Sequence, residues 1–254
     1  MRPNAEVVQV LSLVAGGLND CEIARRTGIP RRTIRDWRHG RGFIAQRLNP
    51  SEAPCGVDHD FRHLPAREYA YLLGMYLGDG CISASGRPNV WRLRIFMDGR
   101  YPAIIDECAV AMEAMLPGKH AHRLARNNGA WFEVSLYSKH WQCFFPQHGP
   151  GKKHHRRIEL VDWQRQILSG ARTWFVRGLI HSDGCRFVAH ERKGNYTRDS
   201  LRYSFSNLSE DIKDLFCESC DALGIGWTRP SRREIAIYRK DSVALLETFV
   251  GPKS

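Results

Sequence analysis

The sequence has 254 residues, of which 38 are Lys or Arg and 27 are Asp or Glu, so its formal net charge is +11. This basic excess favours a polyanionic partner such as nucleic acid, and the length is sufficient to bury a sizeable core. The sequence contains no long apolar run and no signal-peptide pattern. Composition therefore excludes a membrane protein and predicts a cytoplasmic one, nucleoid-associated if its source is bacterial.

The first 45 residues predict a separate unit of three helices. The pattern NDCE at 19–22 is a capping box that opens the second helix, Gly28 makes the following turn, and Pro30 suits the first turn of the third helix. Three arginines of the third helix would remain available to DNA: Arg31, Arg32 and Arg35. The unit resembles a helix-turn-helix DNA-binding module. A three-helix bundle for protein contact is the alternative.

Residues 46–66 contain three prolines without clear periodicity and predict a linker. Cys55, His59 and His63 within it invite a zinc interpretation, but the sequence offers no evident fourth ligand, so metal binding there stays open. The eight cysteines form no convincing disulfide framework. Cys217 and Cys220 share one predicted helix face and are expected to be buried thiols.

Two similar segments, YLLGMYLGDG at 71–80 and VRGLIHSDG at 176–184, each place an Asp-Gly pair at the end of an apolar helix. Asp79 and Asp183 would face the negative end of the helix dipole, which costs about 0.3–1 kcal/mol unless a cation is nearby. One such pair would indicate a simple helix cap. The duplication instead indicates a bound metal.

Small residues recur four positions apart in both segments, a spacing that lets two helix backbones approach closely. They are Gly74, Gly78, Gly178 and Ser182. Packing of the two helices side by side would bring Asp79 and Asp183 into one site, where Gly78 and Ser182 are further candidate metal positions. The following residues, Gly80 and Gly184, are predicted to end the helices in the left-handed conformation.

Both segments resemble the LAGLIDADG motif of homing endonucleases. The matching residues are Leu72, Gly74, Asp79 and Gly80 in the first copy, and Gly178, Leu179, Ile180, Asp183 and Gly184 in the second. The resemblance implies that Asp79 and Asp183 are catalytic acids that hold Mg²⁺ for hydrolysis of double-stranded DNA. It also implies an assisting lysine. The sequence offers Lys152, Lys153 and Lys253 without deciding among them; Lys152 and Lys253, which end the parallel sequences GPGK and GPK, are the candidates.

Similar elements follow each motif. A strand at 91–96, a helix at 102–115 and a strand at 131–138 are predicted after the first motif. The same order is predicted after the second, with a strand at 201–207, a helix at 211–223 and a strand at 233–239. The resemblance implies an α+β fold with pseudo-two-fold symmetry: two αββαββα-like repeats with saddle-shaped antiparallel sheets, after the all-α helix-turn-helix domain. The predicted ranges are 67–153 for the first repeat, 154–172 for an inter-repeat linker and 173–254 for the second repeat.

Alternation in these strands separates two faces. Trp91, Leu93 and Ile95 in one strand, and Leu201, Tyr203 and Phe205 in another, would face the helices. The opposite faces provide candidate DNA contacts, and the candidates in the two repeats are Arg92, Arg94, Arg186 and Arg202. For any one of these arginines an ordinary solvated strand face explains the pattern equally well.

The alternatives to a free-standing endonuclease are the endonuclease domain of an intein, a DNA-binding regulator and a structural adaptor. An intein should begin at Cys or Ser and end in His-Asn, whereas this sequence begins with Met1 and ends in Gly-Pro-Lys-Ser. A non-cleaving helix-turn-helix regulator on a LAGLIDADG scaffold is the more serious alternative, although both acids are retained. A structural adaptor would leave the duplicated Asp-Gly unexplained. Because one chain holds both motifs, a monomer with an internal pseudo-dimer is expected.

Overall fold

The computed structural model describes residues 4–39, 54–57, 59–193 and 196–253, which divide into two compact units at His59. The predicted domain boundary at residue 45 and the linker residues 46–53 and 58 lie outside the described residues. The division assigns Met1–His59 to an N-terminal unit and Asp60–Ser254 to a C-terminal unit.

Three helices form the N-terminal unit: α1 (Asn4–Ala15), α2 (Asp20–Thr27) and α3 (Arg31–Arg38). The capping box is confirmed. The Asn19 side chain accepts a hydrogen bond from the backbone N–H of Glu22, and the Glu22 side chain accepts one from the backbone N–H of Asn19. Gly28 makes the turn before α3 with a φ of 68°, in the left-handed region that glycine adopts readily. Six apolar side chains form the core: Val7, Val10, Ile23, Ile29, Ile34 and Trp37.

The C-terminal unit repeats one order of elements twice. The first copy contains α4 (Ala66–Leu77), β1 (Gly80–Ala84), β2 (Trp91–Asp98), α5 (Pro102–Ala114), β3 (His122–Arg126), β4 (Trp131–Ser138) and α6 (Trp141–Phe144). The second contains α7 (Asp162–Asp183), β5 (Gly184–Lys193), β6 (Tyr196–Ser206), α8 (Glu210–Ala222), β7 (Thr228–Ser231), β8 (Glu234–Ile237) and α9 (Lys240–Phe249). Each copy is αββαββα, so the predicted fold class is confirmed.

The connection between the repeats is less irregular than its sequence indicates. Helix α7 begins at Asp162, inside the predicted linker 154–172, and continues to the second motif. Ala171 interrupts it with non-helical angles, φ −131° and ψ 26°. The motif helix of the second repeat is thus the C-terminal part of a longer, bent helix.

Each repeat has one antiparallel four-stranded sheet, in the order β1-β2-β4-β3 and β5-β6-β8-β7. The inward faces are those that the alternation predicts, since Leu93, Ile95, Tyr203 and Phe205 are fully buried. Apolar residues of both sheets join the helices in one core, as expected for a single compact unit.

Helices α4 and α7 pack so closely that a side chain would not fit between them. A Cβ atom added to Gly178 would lie 2.2 Å from the Tyr71 carbonyl oxygen, and one added to Gly74 would lie 2.6 Å from the Phe175 carbonyl oxygen. At Gly78, an added Cβ would lie 2.1 Å from Ser182 Oγ. The small residues therefore form the contact between the repeats.

The predicted left-handed conformation of Gly80 and Gly184 is wrong. Both residues begin strands, and Gly184 is extended with φ −97° and ψ 165°. Glycine is needed there for space, because a Cβ atom would lie 2.5 Å from Tyr76 Cα at Gly80 and 2.7 Å from Ile180 Cα at Gly184. The chain thus turns from helix to strand against the helix it has just left.

The described cysteines form no disulfide, and Cys217 and Cys220 are buried on α8, as predicted for this pair. Burial raises the pKa of the Cys217 thiol to about 11 and that of Cys220 further. Within the described part of the chain, no helix combines the length and the apolar character needed to cross a bilayer.

Candidate active site

A lysine contacts the end of the first motif helix. Lys153 Nζ donates hydrogen bonds to three carbonyl oxygens, those of Tyr76 at 2.6 Å, Gly78 at 2.5 Å and Gly80 at 2.9 Å. A cation at the C-terminus of a helix is stabilised by the dipole and satisfies carbonyls that have no intrahelical donor. This cation resolves the apparent penalty of placing Asp79 at the same helix end.

The second motif helix ends in the same way. Lys253 Nζ donates to the carbonyl oxygens of His181 at 3.0 Å and Gly184 at 2.6 Å. Gly184 corresponds to Gly80 in the motif alignment, so the two lysines occupy equivalent places in the two repeats. Lys153 rather than its neighbour Lys152 makes these contacts, which corrects the pairing suggested by the parallel sequences GPGK and GPK.

Two crevices open beside the ends of the motif helices, and each combines side chains of both repeats. The Asp183 crevice is lined by Lys153 of the first repeat together with Asp183 and Asn207 of the second. The Asp79 crevice is lined by Asp79 of the first repeat together with Ser182 and Lys253 of the second. Each crevice therefore combines the carboxylate of one repeat with the lysine of the other.

The two carboxylates are destabilised as anions by their surroundings. Burial raises the pKa of Asp183 to about 6, and the Asp79 charge adds to this increase. The Asn207 amide opposes it by donating a hydrogen bond of 2.5 Å to Asp183 Oδ2. The pKa of Asp79 is also raised, because neighbouring protein atoms displace part of the water around its carboxylate, although the side chain remains exposed. The positive charges of Lys153 and Lys253 oppose this increase.

The lysines show the opposite effect. Burial lowers the pKa of Lys153 to about 8, although Asp183 and Asp79 favour its charged form. Burial also lowers the pKa of Lys253. Two acids and two cations with shifted pKa values are thus held at the ends of the two motif helices, a combination that is common at functional sites.

We expect Asp183→Asn to stabilise the metal-free protein at pH 8. Because the folded-state pKa of Asp183 is raised from 3.8 to about 6, its stabilising contribution is complete below the unfolded pKa and is lost as the pH rises through 6. Two pKa units correspond to about 3 kcal/mol, and with the altered Asn207 contact we expect a net gain of about 2 kcal/mol. Thermal unfolding with EDTA measures this gain at pH 8, and it should vanish near pH 4.

Asp214→Asn is the matched control, because Asp214 is an exposed aspartate of α8. It should leave the melting temperature nearly unchanged at both pH values. Equal melting temperatures of wild type and Asp183→Asn at pH 8 would mean that ionising Asp183 does not destabilise the folded protein.

The donors in the crevices suit a hard divalent cation. Carboxylate and carbonyl oxygens are the ligands that Mg²⁺ and Ca²⁺ prefer. Burial and the Asp79 charge both raise the pKa of Asp183, and a bound cation would instead favour the ionised form of this carboxylate. Of the other two candidate metal positions, the Gly78 carbonyl accepts from Lys153, and Ser182 Oγ donates to the carbonyls of Gly178 and Leu179.

Three of the predicted DNA-contacting arginines lie on the outer strand faces, each over an aromatic ring. The distances from guanidinium carbon to ring centroid are 5.2 Å for Arg92 and Tyr137, 5.7 Å for Arg94 and Phe96, and 5.6 Å for Arg202 and Tyr238. Such stacking holds a guanidinium in a defined orientation. Arg92 is further fixed by an ion pair with the buried Glu133 and by a hydrogen bond to Ser135.

Arg186 does not lie on the predicted face. It pairs across the sheet with Tyr203, whose ring is buried against the helices, so Arg186 shares the inward face. Its guanidinium forms a two-point ion pair with Glu247 of α9, with both hydrogen bonds at 2.8 Å. The prediction that Arg186 lies on an outward strand face with the other arginines is therefore wrong, because the strand register places it opposite Tyr203.

The arginines of helix α3 differ in their environment. Arg31 and Arg32 are exposed at the start of the helix. Arg35 Nε lies 3.9 Å from Asp20, while Arg38 makes the closer ion pair with the same carboxylate at 2.9 Å. Asp20 therefore attaches the end of α3 to α2 and leaves the first turn of α3 accessible.

The linker residues considered for zinc are placed differently from one another. Cys55 Sγ lies 3.0 Å from His59 Nε2. His63 Nε2 instead lies 3.4 Å from Asp60.

Known proteins resemble both units. Residues 5–42 match the family model of the homeodomain-like domain, and no curated protein matches the chain. The solved structure of I-SmaMI bound to an uncleaved DNA target in the presence of calcium ions has a TM-score of 0.46 and 8% identity, and covers 73% of this chain and 86% of its own. The LAGLIDADG meganuclease I-AabMI bound to uncleaved DNA has a TM-score of 0.45 and 12% identity, and covers 71% and 82%. The two αββαββα repeats joined at the motif helices are the fold that the resemblance to LAGLIDADG homing endonucleases implied, and residues 5–42 are similar to a homeodomain-like domain.

Proposed function

We propose that the protein is a DNA endonuclease that hydrolyses one phosphodiester bond in each strand of a long, specific double-stranded site, with Mg²⁺ as cofactor. The observation that carries this proposal is the pair of crevices, each of which combines the carboxylate of one repeat with the lysine of the other. Because one chain provides both crevices, we propose that a monomer suffices and that it acts on both strands.

Asp79 and Asp183 would hold the divalent cation. When bound, Mg²⁺ supplies the Lewis acid that lowers the pKa of water and neutralises the phosphate. The residues of this chain provide the position: Asp183 lies at the contact of Gly78 with Ser182, where a Cβ atom added to Gly78 would be 3.2 Å from Asp183 Cγ, and Asp79 directly follows Gly78 in the chain. Asn207 fixes the orientation of the Asp183 carboxylate through its hydrogen bond.

Lys153 and Lys253 would provide fixed positive charges. Each ammonium group donates its hydrogen bonds to backbone carbonyls at a helix end, so neither needs to reorganise as negative charge develops on a phosphate. The lowered pKa of Lys153, about 8, still leaves it mostly protonated at neutral pH. We therefore assign the lysines an electrostatic role rather than that of a general base.

Arg92, Arg94 and Arg202 on the outer strand faces would contact the duplex, and Arg31 and Arg32 would let the N-terminal unit bind separately. The homeodomain-like match at 5–42 also supports the alternative, a regulator that binds DNA through this unit and does not cut. Both functions need double-stranded DNA as partner, and they differ in chemistry alone.

A randomised duplex library distinguishes the two functions. We expect incubation of the protein with Mg²⁺ to produce new DNA ends in both strands at one enriched sequence, and EDTA to abolish them, because the carboxylates need a cation to act. Sequencing of the ends measures both results. Enrichment of a bound sequence in Mg²⁺, Mn²⁺ and Ca²⁺ without any cut ends would establish the regulator instead.

A further inference from the structure

Two arginines, Arg156 and Arg177, donate hydrogen bonds to backbone carbonyls of the segments that directly precede Lys153 and Lys253. Arg156 Nε donates to the Gln147 carbonyl at 3.1 Å, and its Nη1 donates to the carbonyls of Gly149 at 3.1 Å and Gly151 at 2.8 Å. All three carbonyls belong to the irregular segment just before Lys153. One guanidinium thus fixes the path of five consecutive residues.

Arg177 contacts the corresponding segment of the second repeat. Its Nη1 donates to the carbonyls of Phe249 at 2.6 Å and Val250 at 2.7 Å, four and three residues before Lys253. Its remaining donors form a two-point ion pair with Glu107 at 2.7 and 2.8 Å. Glu107 belongs to the first repeat, so the position of Lys253 depends on both repeats.

Both segments need such a constraint. Gly151 and Gly251 have φ values of 76° and 66°, and glycine in these segments gives the unfolded backbone many conformations. A lysine ammonium that leaves water also tends to return to it, since burial disfavours its charge. Hydrogen bonds from a planar guanidinium to two or three carbonyls restrict the backbone and so keep each ammonium at its helix end.

We propose that Arg156 and Arg177 are positioning residues, with Arg156 setting Lys153 in the Asp183 crevice and Arg177 setting Lys253 in the Asp79 crevice. This inference rests on the proposed function, because the lysines matter only if the crevices act on phosphate. It adds that the two crevices are positioned independently. Loss of one arginine should therefore affect the cutting of one strand.

Cleavage of a cognate duplex with a different label on each strand tests this. Lys153→Ala identifies the strand served by the Asp183 crevice. We expect Arg156→Gln to slow cutting of that same strand by about tenfold, because small misplacements of a catalytic group are costly, and to leave the other strand within about twofold. Affinity for the duplex in Ca²⁺ should not change.

Arg157→Gln is the control for Arg156→Gln, because Arg157 is adjacent, largely exposed and paired with Glu159 instead. Arg177→Gln should slow the opposite strand, which Lys253→Ala identifies. Because Arg177→Gln leaves the Glu107 carboxylate without its arginine partner, the double variant Arg177→Gln/Glu107→Gln is measured in the same assay. Equal slowing of both strands by Arg156→Gln would show a general structural role and overturn the proposal.

Acylation of lysines, read by mass spectrometry, provides a test that needs no cutting. We expect Arg156→Gln to increase modification of Lys153 several-fold relative to Lys253, and the Arg177 variants to do the reverse. Unchanged modification of both lysines would overturn the proposal. A wild-type protein that cuts neither strand would contradict the proposed endonuclease, whereas the acylation result would still decide whether the arginines position the lysines.

Discussion

Gly178→Ala is expected to lower the free energy of unfolding of the C-terminal unit by about 3 kcal/mol, the upper end of the usual cost of overpacking. The added methyl group would lie 2.2 Å from the Tyr71 carbonyl oxygen and 3.1 Å from Gly74 Cα. Both are backbone atoms of the facing helix and cannot rotate away. Helices α4 and α7 would have to separate, which also loosens the apolar contacts around them.

Gly170→Ala is the matched control for this prediction. Gly170 lies on the same helix, but nothing is within 4 Å of its added Cβ atom. We expect this variant to be as stable as wild type or more stable by about 0.5–1 kcal/mol, because alanine is the better helix former. Urea unfolding measures both variants. Equal stability of Gly178→Ala and wild type would mean that the motif helices do not pack through these glycines.

Asp79→Asn and Asp183→Asn are each expected to reduce cutting of the cognate duplex by at least about 100-fold, the usual cost of removing a group that stabilises the transition state electrostatically. An amide keeps the size of the side chain but lacks the negative charge that holds a divalent cation. Rates of cutting in saturating Mg²⁺ measure the effect. Binding of the duplex in Ca²⁺ should persist, since the outer strand faces are unaltered.

Asp183→Asn is then the more informative of the two variants. It should raise the stability of the metal-free protein while it removes cutting, since burial and the Asp79 charge make Asp183 costly to ionise. Such a trade-off is expected where a site is built for function rather than for stability. Asp214→Asn, exposed on α8, should alter neither property. A wild-type rate of cutting in Asp183→Asn would contradict the assignment of the site.

Sequence patterns were sufficient to predict the helices of the N-terminal unit, three of the elements that follow each motif, and the inward faces of two strands. Local signals were sufficient for this: the capping box at Asn19, the period of two around Leu93 and Ile95, and the spacing of Gly74 and Gly178. The sequence also identified Asp79 and Asp183 as the candidate acids of the site, because a duplicated motif can be recognised without knowing which residues are in contact.

Which cations lie near those aspartates becomes visible only in the folded protein. Lys153 lies 74 residues after Asp79 and contacts its helix end, and no local pattern distinguishes it from Lys152. Arg186 likewise has a partner 61 residues away in Glu247. Interactions of this kind depend on how the chain folds back on itself, since a flexible side chain finds its partner only after the backbone places them together. The sequence therefore predicts the acids of the site, and the packing of the two repeats places the lysines beside them.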